Sequence, residues 1–196
     1  MKKFDIYIVG VGGQGVLSIS EFLCLAASNN NYPINYFPTK GMSQRGGFVR
    51  SQVRIGREVV GPSMPPKSAD MVVSMEISET LKALPYLKRG GEVLLYGYKW
   101  LPTDVMLGRG DYPELETVKE EIAKAGGTLT YLDPADLPVH EGLPVRDNIF
   151  VLGGMLRGKL AELFPPEDIA AMISNKWPKA AEANAEAFQA GLSANA

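Results

Sequence analysis

The chain has 196 residues with 22 acidic and 20 basic side chains, which give a formal net charge of −2 at pH 7. This length is enough for one α/β domain with its own core, and the slightly acidic balance argues against binding to nucleic acid or to a membrane surface. The single cysteine, Cys24, excludes an iron–sulfur cluster or a structural zinc ion held by this chain alone, because either needs about four ligands, mostly cysteine. The basic start of the chain leads into neither a signal peptide nor a membrane-spanning segment, so we expect a cytoplasmic protein.

Predicted strands and helices alternate along the chain, because short apolar runs are followed by segments with apolar residues at helical spacing. The first half predicts, in order, a strand over residues 4–9, a helix over 16–28, a strand over 34–37 ending at Pro38, and a strand over 48–55 that turns at 56–58 into an antiparallel partner at 59–60. The rest predicts a strand over 70–74, a helix over 79–87 stopped by Gly90 and Gly91, a strand over 92–96, a helix over 113–125, a strand over 128–132, and helices over most of 146–190. This order predicts a three-layer, Rossmann-like α/β domain over residues 1–196, with a mostly parallel sheet and one antiparallel excursion.

A glycine-rich loop joins the first predicted strand to the first helix and fits the pattern G-x-G-x-x-G. Its residues are Gly10, Val11, Gly12, Gly13, Gln14 and Gly15. At a helix N-terminus such glycines let backbone N–H groups approach a phosphate closely, although a tight turn without a ligand uses the same residues. An NAD site also needs an acidic residue about 20 positions further on, and residues 22–57 contain no Asp or Glu. The sequence therefore disfavours NAD and leaves an NADP site, another phosphate ligand or a plain turn open.

A second glycine-rich segment lies inside the same acid-free window. It comprises Gly41, Met42, Ser43, Gln44, Arg45, Gly46 and Gly47. The basic residues of the window are Lys40, Arg45, Arg50, Arg54 and Arg57. Because an arginine can bind phosphate or carboxylate through two hydrogen bonds, these cations predict a bound phosphate or an acidic partner surface, unless they form only a solvated basic face. Alternation along residues 48–55 puts Arg50 and Arg54 on one face of the strand, which either extends the anion-binding surface or faces water.

Two residues that follow core strands are further candidates. Glu76 follows the strand over residues 70–74, at the edge where ligands bind in open α/β sheets, and it either lines a site or caps local backbone. Trp100 follows the next strand and is a candidate partner contact, because aromatic residues are enriched at interfaces.

Taken together, these residues resemble the gamma subunit or domain of 2-oxoacid:ferredoxin oxidoreductases. The resemblance rests on residues 10–17, 41–47, 69–76 and 84–91 and on the C-terminal segments 148–154 and 184–191, which occur in the family's order. Residues 41–47 are more similar to the indolepyruvate oxidoreductase beta subunit than to the pyruvate-type gamma subunit. Many relatives have histidine where this chain has Lys40, so no role is carried over to that position.

The resemblance implies a complex that oxidatively decarboxylates a 2-oxoacid, with an aryl or indolyl pyruvate favoured, to an acyl-CoA while reducing ferredoxin. It implies that thiamine diphosphate and the iron–sulfur clusters belong to a large catalytic partner, and that this chain carries no cofactor and no catalytic residue. Coenzyme A would approach along this chain, which makes both glycine-rich segments, Arg50 and Arg54 the candidate CoA-binding or partner-facing residues. The alternative is a free-standing NADP-dependent reductase or a phosphate-ligand-binding Rossmann domain.

Overall fold

One twisted sheet organises the chain. The computed structural model describes residues 2–40, 46–61 and 63–194. Within them, six strands form the main sheet in the order β2-β3-β1-β4-β5-β6. These strands are β1 (Phe4–Val11), β2 (Ile34–Lys40), β3 (Phe48–Ile55), β4 (Ala69–Ser74), β5 (Leu87–Tyr96) and β6 (Thr128–Leu132). Strands β1, β4, β5 and β6 pair in parallel, whereas β3 is antiparallel to both of its neighbours, β1 and β2. The predicted fold class, a mostly parallel sheet with an antiparallel excursion, is confirmed.

Seven α-helices lie within the described residues, and most of them cover the two faces of the sheet. They are α1 (Val16–Asn29), α2 (Thr80–Ala83), α3 (Thr103–Met106), α4 (Leu115–Lys124), α5 (Asp147–Met155), α6 (Pro166–Lys176) and α7 (Ala181–Ser193), and a small hairpin of β7 (Val139–His140) and β8 (Leu143–Pro144) precedes α5. Helices α1, α5, α6 and α7 bury one face together with alternate strand residues such as Ile6 and Ile8. Residues of α2 and α4 cover the other face, which includes Tyr7 and Val9. Because β1 is buried on both sides, its sequence is apolar almost without interruption.

Several predicted boundaries are wrong. Strand β2 continues through Pro38 to Lys40, because β2 is an edge strand and an edge strand tolerates a residue without a backbone donor. The hairpin partner of β3 is β2 and not residues 59–60. Within residues 79–87 only the short helix α2 and a 3₁₀ turn over Leu84–Tyr86 form, because Leu87 already begins β5, and Gly90 and Gly91 lie inside that strand instead of stopping a helix. Helix α4 begins at Leu115, after Pro113.

The helices α5 to α7 confirm the prediction of a helical C-terminal region. None of the described helices combines the length and the apolar character that a membrane crossing would require.

Candidate anion-binding site

The two glycine-rich segments meet at the carboxyl end of β1. The backbone N–H of Gly12 donates to the carbonyl oxygen of Gly47 at 2.9 Å, and that of Gly46 donates back to the carbonyl oxygen of Gly12 at 3.4 Å. The predicted candidates Gly41, Met42, Ser43, Gln44 and Arg45 lie outside the described residues. The structure thus brings the described ends of both motifs into direct contact.

Gln14 braces the first glycine loop from inside. Its side-chain oxygen accepts a hydrogen bond from the N–H of Val11 at 2.8 Å, and its side-chain nitrogen donates to the carbonyl oxygen of Met75 at 2.6 Å. The side chain is almost fully buried and ties the loop to the end of β4. Gly10 makes room for this arrangement, since a Cβ there would lie 2.8 Å from both Gln14 Oε1 and Met75 Cβ.

The N-terminus of α1 is left without a cap. Gly15 precedes the helix in the left-handed region, with φ of 77°, and no side chain caps the helix or places an acid in its first turn. The first helical hydrogen bond runs from the N–H of Ile19 to Gly15, so the N–H groups of residues 16–18 point out of the helix end. Among the described residues, no backbone acceptor faces the N–H groups of Gly13 and Gly15 either. Several donors and the positive end of the helix dipole are therefore available to an anion.

A cleft of about 530 Å³ opens in front of these donors. Its other wall is the start of α5. The cleft is lined by Gly13, Gln14, Gly15, Ser18, Tyr96, Tyr98, Leu137, Pro144, Val145, Arg146, Asp147 and Asn148. Two helix N-termini, those of α1 and α5, thus face one cavity at the carboxyl edge of the sheet, where ligands bind in open α/β folds.

The α5 wall contributes two polar groups suited to an anion. Asn148 is 9% exposed and packs against Gly15, and its side-chain amide has no hydrogen-bond partner among the described residues. The Arg146 guanidinium stacks on the Trp177 ring at 5.0 Å and remains solvent-accessible. Neither residue is a site candidate in the sequence, because both lie far along the chain from the glycine loop. The only sequence signal was the position of Asn148 in the family-like C-terminal segment.

Asp147 is the one acidic residue in the described lining. Its Oδ1 accepts a hydrogen bond from the N–H of Asn148 at 2.7 Å, and burial raises its pKa above the usual value for a carboxyl group. While it is ionised, this carboxylate opposes the binding of an anion in the cleft.

The cations of the acid-free window are dispersed. Arg54 and Arg57 both pair with the fully buried Asp5, at 3.0 Å and 2.9 Å, at the end of β3 far from the glycine loops. Arg50 makes long hydrogen bonds to Thr39 Oγ1 at 3.3 Å and to the Tyr7 hydroxyl at 3.4 Å. Tyr7 belongs to the opposite core from Tyr96, so Arg50 does not line the cleft.

The polar face of β3 is therefore half-buried at Arg50 and buried beyond it, and it does not form one anion-binding surface. Gln52 is also buried there, and its side-chain oxygen accepts a hydrogen bond from the N–H of Met64 at 2.6 Å. Arg54 forms an ion pair with Asp5, which lies outside the acid-free window of residues 22–57.

Of the two roles that the sequence allows for Glu76, lining a site or capping local backbone, the structure shows the second. Its Oε2 accepts hydrogen bonds from the Ser78 hydroxyl at 2.7 Å and the N–H of Glu79 at 2.9 Å. Its Oε1 accepts from the N–H of Trp100 at 3.1 Å and from the Tyr112 hydroxyl. Glu76 is fully buried and is absent from the described cleft lining.

The possible metal ligands and the one thiol of the described residues can be assessed from the structure. In the described ranges, no three His, Cys, Asp or Glu side chains come together as metal ligands would. Burial raises the pKa of the Cys24 thiol to about 11, so the thiol is protonated near neutral pH and is a poor nucleophile.

The sheet topology also argues against a dinucleotide site. In a Rossmann dinucleotide fold the strand beside β1 runs parallel to it and carries the acid that binds ribose. Here the antiparallel strand β3 occupies that place, and Gln14 fills the inside of the loop. The geometry defines a Rossmann-like α/β domain with an open glycine-loop cleft.

Comparison with known proteins identifies the family. The chain belongs to the pyruvate ferredoxin/flavodoxin oxidoreductase family, whose model matches residues 5–194. It is 32% identical to the indolepyruvate oxidoreductase subunit IorB of Pyrococcus horikoshii, over 99% of this chain and 96% of the relative. It is 26% identical to the common subunit gamma of the pyruvate/ketoisovalerate oxidoreductases of Thermococcus kodakarensis, over 94% and 95%.

A solved structure shows the same fold over nearly the full length. The PORC subunit of pyruvate oxidoreductase from Thermotoga maritima superposes with a TM-score of 0.67 and 26% identity, covering 97% of this chain and 96% of that one. The predicted resemblance is confirmed: the chain is a gamma-type subunit of a 2-oxoacid:ferredoxin oxidoreductase, similar to the indolepyruvate oxidoreductase beta subunit.

Proposed function

We propose that this chain, acting as a single domain over residues 1–196, is the cofactor-free subunit of a complex that converts a 2-oxoacid to an acyl-CoA and reduces ferredoxin. An aryl or indolyl pyruvate is the favoured substrate, in keeping with the relative named for indolepyruvate. The large catalytic partner carries thiamine diphosphate and the iron–sulfur clusters, because Cys24 alone cannot supply the ligands of a cluster. Ferredoxin is reduced by that partner, so it meets this chain only indirectly.

The uncapped N-terminus of α1 carries the proposal for coenzyme A. CoA bears phosphate groups, and free N–H groups at a helix N-terminus bind phosphate well. The cleft adds the second helix N-terminus at α5, the amide of Asn148 and the guanidinium of Arg146. We infer that a CoA phosphate lies between Gly13, Gly15 and Arg146, where the chain forms one wall of the CoA approach to the catalytic subunit.

Charge changes on the α5 wall test this proposal with opposite expected signs. In the reconstituted complex, Arg146→Ala should raise the CoA concentration at half-maximal rate about tenfold or more, because a hydrogen bond to a charged group contributes about 1.5–3 kcal/mol. Asp147→Asn removes the one described acid of the lining and should lower that concentration by up to about fivefold, as expected for one unit charge near the site.

Arg45→Ala, in the second glycine motif, is expected to act like Arg146→Ala, and Arg45→Lys should recover only part of the loss.

The matched control is Arg89→Ala, because Arg89 is also exposed but lies near the amino end of β5. The affinity between the two subunits is measured separately by titration, so that a weakened complex is not mistaken for weakened CoA binding. If Arg146→Ala and Asp147→Asn both leave the half-saturating CoA concentration within twofold of wild type, the cleft is not the phosphate site.

A further inference from the structure

Strongly exposed large hydrophobic side chains are concentrated beside the cleft. Among the described residues, Trp100, Leu101, Met106 and Leu107 are between 39% and 64% exposed and fall within one short segment. We call these four residues the apolar patch. On the β7–β8 hairpin, Val139 and Leu143 are exposed as well, and Pro144 of this hairpin lines the cleft. An exposed cluster of this kind marks an interaction site more often than scattered single residues do.

The segment that carries the patch is held firmly at both ends. The buried carboxylate of Glu76 accepts hydrogen bonds from the N–H of Trp100 and from the hydroxyl of Tyr112, which bracket α3. The N–H of Ile77 also donates to the carbonyl oxygen of Tyr98 at 3.0 Å. Between these anchors, the backbone bonds of α3 stay within the segment, as from Leu107 to Thr103 at 2.9 Å. Glu76 thus anchors both ends of the segment that carries the apolar patch.

The patch is continuous with the glycine-rich motifs. A Cβ on Gly46 would lie 2.7 Å from Trp100 Nε1, so the indole ring packs directly on the Gly46 backbone. Gly46 in turn is hydrogen-bonded to Gly12 of the loop that forms the cleft. Trp100 is thereby linked through Gly46 to the glycine loop that borders the cleft, and Tyr98, two residues before Trp100, lines the cleft itself.

We propose that the apolar patch is the docking surface for the catalytic subunit of the complex, which presents an apolar surface to it. This inference rests on the proposed function, since it takes the occupant to be the protein that shares the CoA cleft. A second copy of this chain fits less well, because a homodimer across the patch would cover the cleft without supplying the catalytic cofactor. Permanent subunit contacts are typically apolar, as this surface is.

The proposal is tested by titrating full-length variants against the purified catalytic subunit. Met106→Ser and Leu107→Ser should each raise the dissociation constant about tenfold, and the double variant should raise it further than either single variant, although by less than the product of the two effects because the residues are neighbours. The control is Val59→Ser, because Val59 is 90% exposed and lies outside both segments that border the cleft. It should leave the dissociation constant within twofold. Thermal unfolding of all variants should match wild type, since the replaced side chains are exposed.

The possible results separate this inference from the proposed function. If wild type binds the catalytic subunit and the double variant binds equally well, the patch is not the docking surface, while the proposed function stands. If the double variant abolishes self-association in sedimentation experiments but leaves binding to the catalytic subunit unchanged, the patch is a homodimer contact and the inference is wrong. If the wild-type chain does not bind the catalytic subunit at all, both proposals are overturned.

Discussion

Replacing Asp5 by alanine is expected to lower the free energy of unfolding by about 3–5 kcal/mol, the usual cost of removing one partner from a buried ion pair. Asp5 is fully buried, and its two carboxylate oxygens bind Arg54 at 3.0 Å and Arg57 at 2.9 Å. Without the carboxylate, the guanidinium of Arg54 stays buried and uncompensated, and its Nε already lacks a hydrogen-bond partner. Chemical denaturation monitored by circular dichroism measures the loss.

A double-mutant cycle checks that the loss comes from the stranded charge. Arg54→Met removes the buried cation, so the Asp5→Leu/Arg54→Met double variant should be more stable than the Asp5→Leu single variant, and the Arg54→Met single variant completes the cycle. An Asp5→Ala variant within about 1 kcal/mol of wild type would show that the pair is of little consequence for stability.

Replacing Gly191 by alanine is expected to destabilise the chain by about 3 kcal/mol, at the upper end of the usual range for overpacking. Helices α5 and α7 pack so closely that a Cβ on Gly191 would lie 1.8 Å from the carbonyl oxygen of Phe150. That neighbour is backbone, so the helices themselves would have to separate. The melting temperature should fall by roughly 6–12 °C for a domain of this size.

Gly110→Ala is the matched control for this substitution. A Cβ on Gly110 meets no heavy atom within 4 Å, and its φ lies outside the left-handed region. Alanine there should be neutral or stabilise slightly, because it reduces the conformational entropy of the unfolded chain. Equal melting temperatures for the two variants would contradict the close contact of α5 with α7.

The core strands were predictable because a buried strand has a recognisable local sequence, a short run of apolar residues. Strands β1 and β4 are covered on both faces, so each is a short apolar run rich in β-branched residues, whose length favours a strand over a helix. Gly90 and Gly91 misled the prediction, because a glycine pair after apolar residues also marks a helix end. Here the pair lies in β5, where the pairing register with β4 shifts between Ala69 and Met71. That irregularity depends on the neighbouring strand, which no local pattern reveals.

The candidate site was predictable only where its residues are close in sequence. The glycine loop follows from a strand, a turn and a helix in succession, whereas its contact with the second motif depends on the pairing of β1 with β3 and was not predicted. The α5 wall is brought to the loop by packing across more than a hundred residues, so Arg146 and Asn148 carried no local signal. The cluster of cations was also misleading in part, because the partner of Arg54 and Arg57 is Asp5, which precedes the window.

Reconstitution of the oxidoreductase tests the central claim most directly. The purified catalytic subunit is assayed for CoA-dependent oxidation of indolepyruvate, with ferredoxin or a redox dye as acceptor, alone and after addition of this chain. The subunit assignment predicts that the isolated chain is colourless and inactive. It predicts that the catalytic subunit alone is at least about tenfold slower than the complex, as expected if this chain supplies part of the CoA site. The rate should saturate when the chain reaches a fixed stoichiometric ratio to the catalytic subunit. A rate that does not change on addition of this chain, or NADP-dependent reductase activity of the chain by itself, would contradict it.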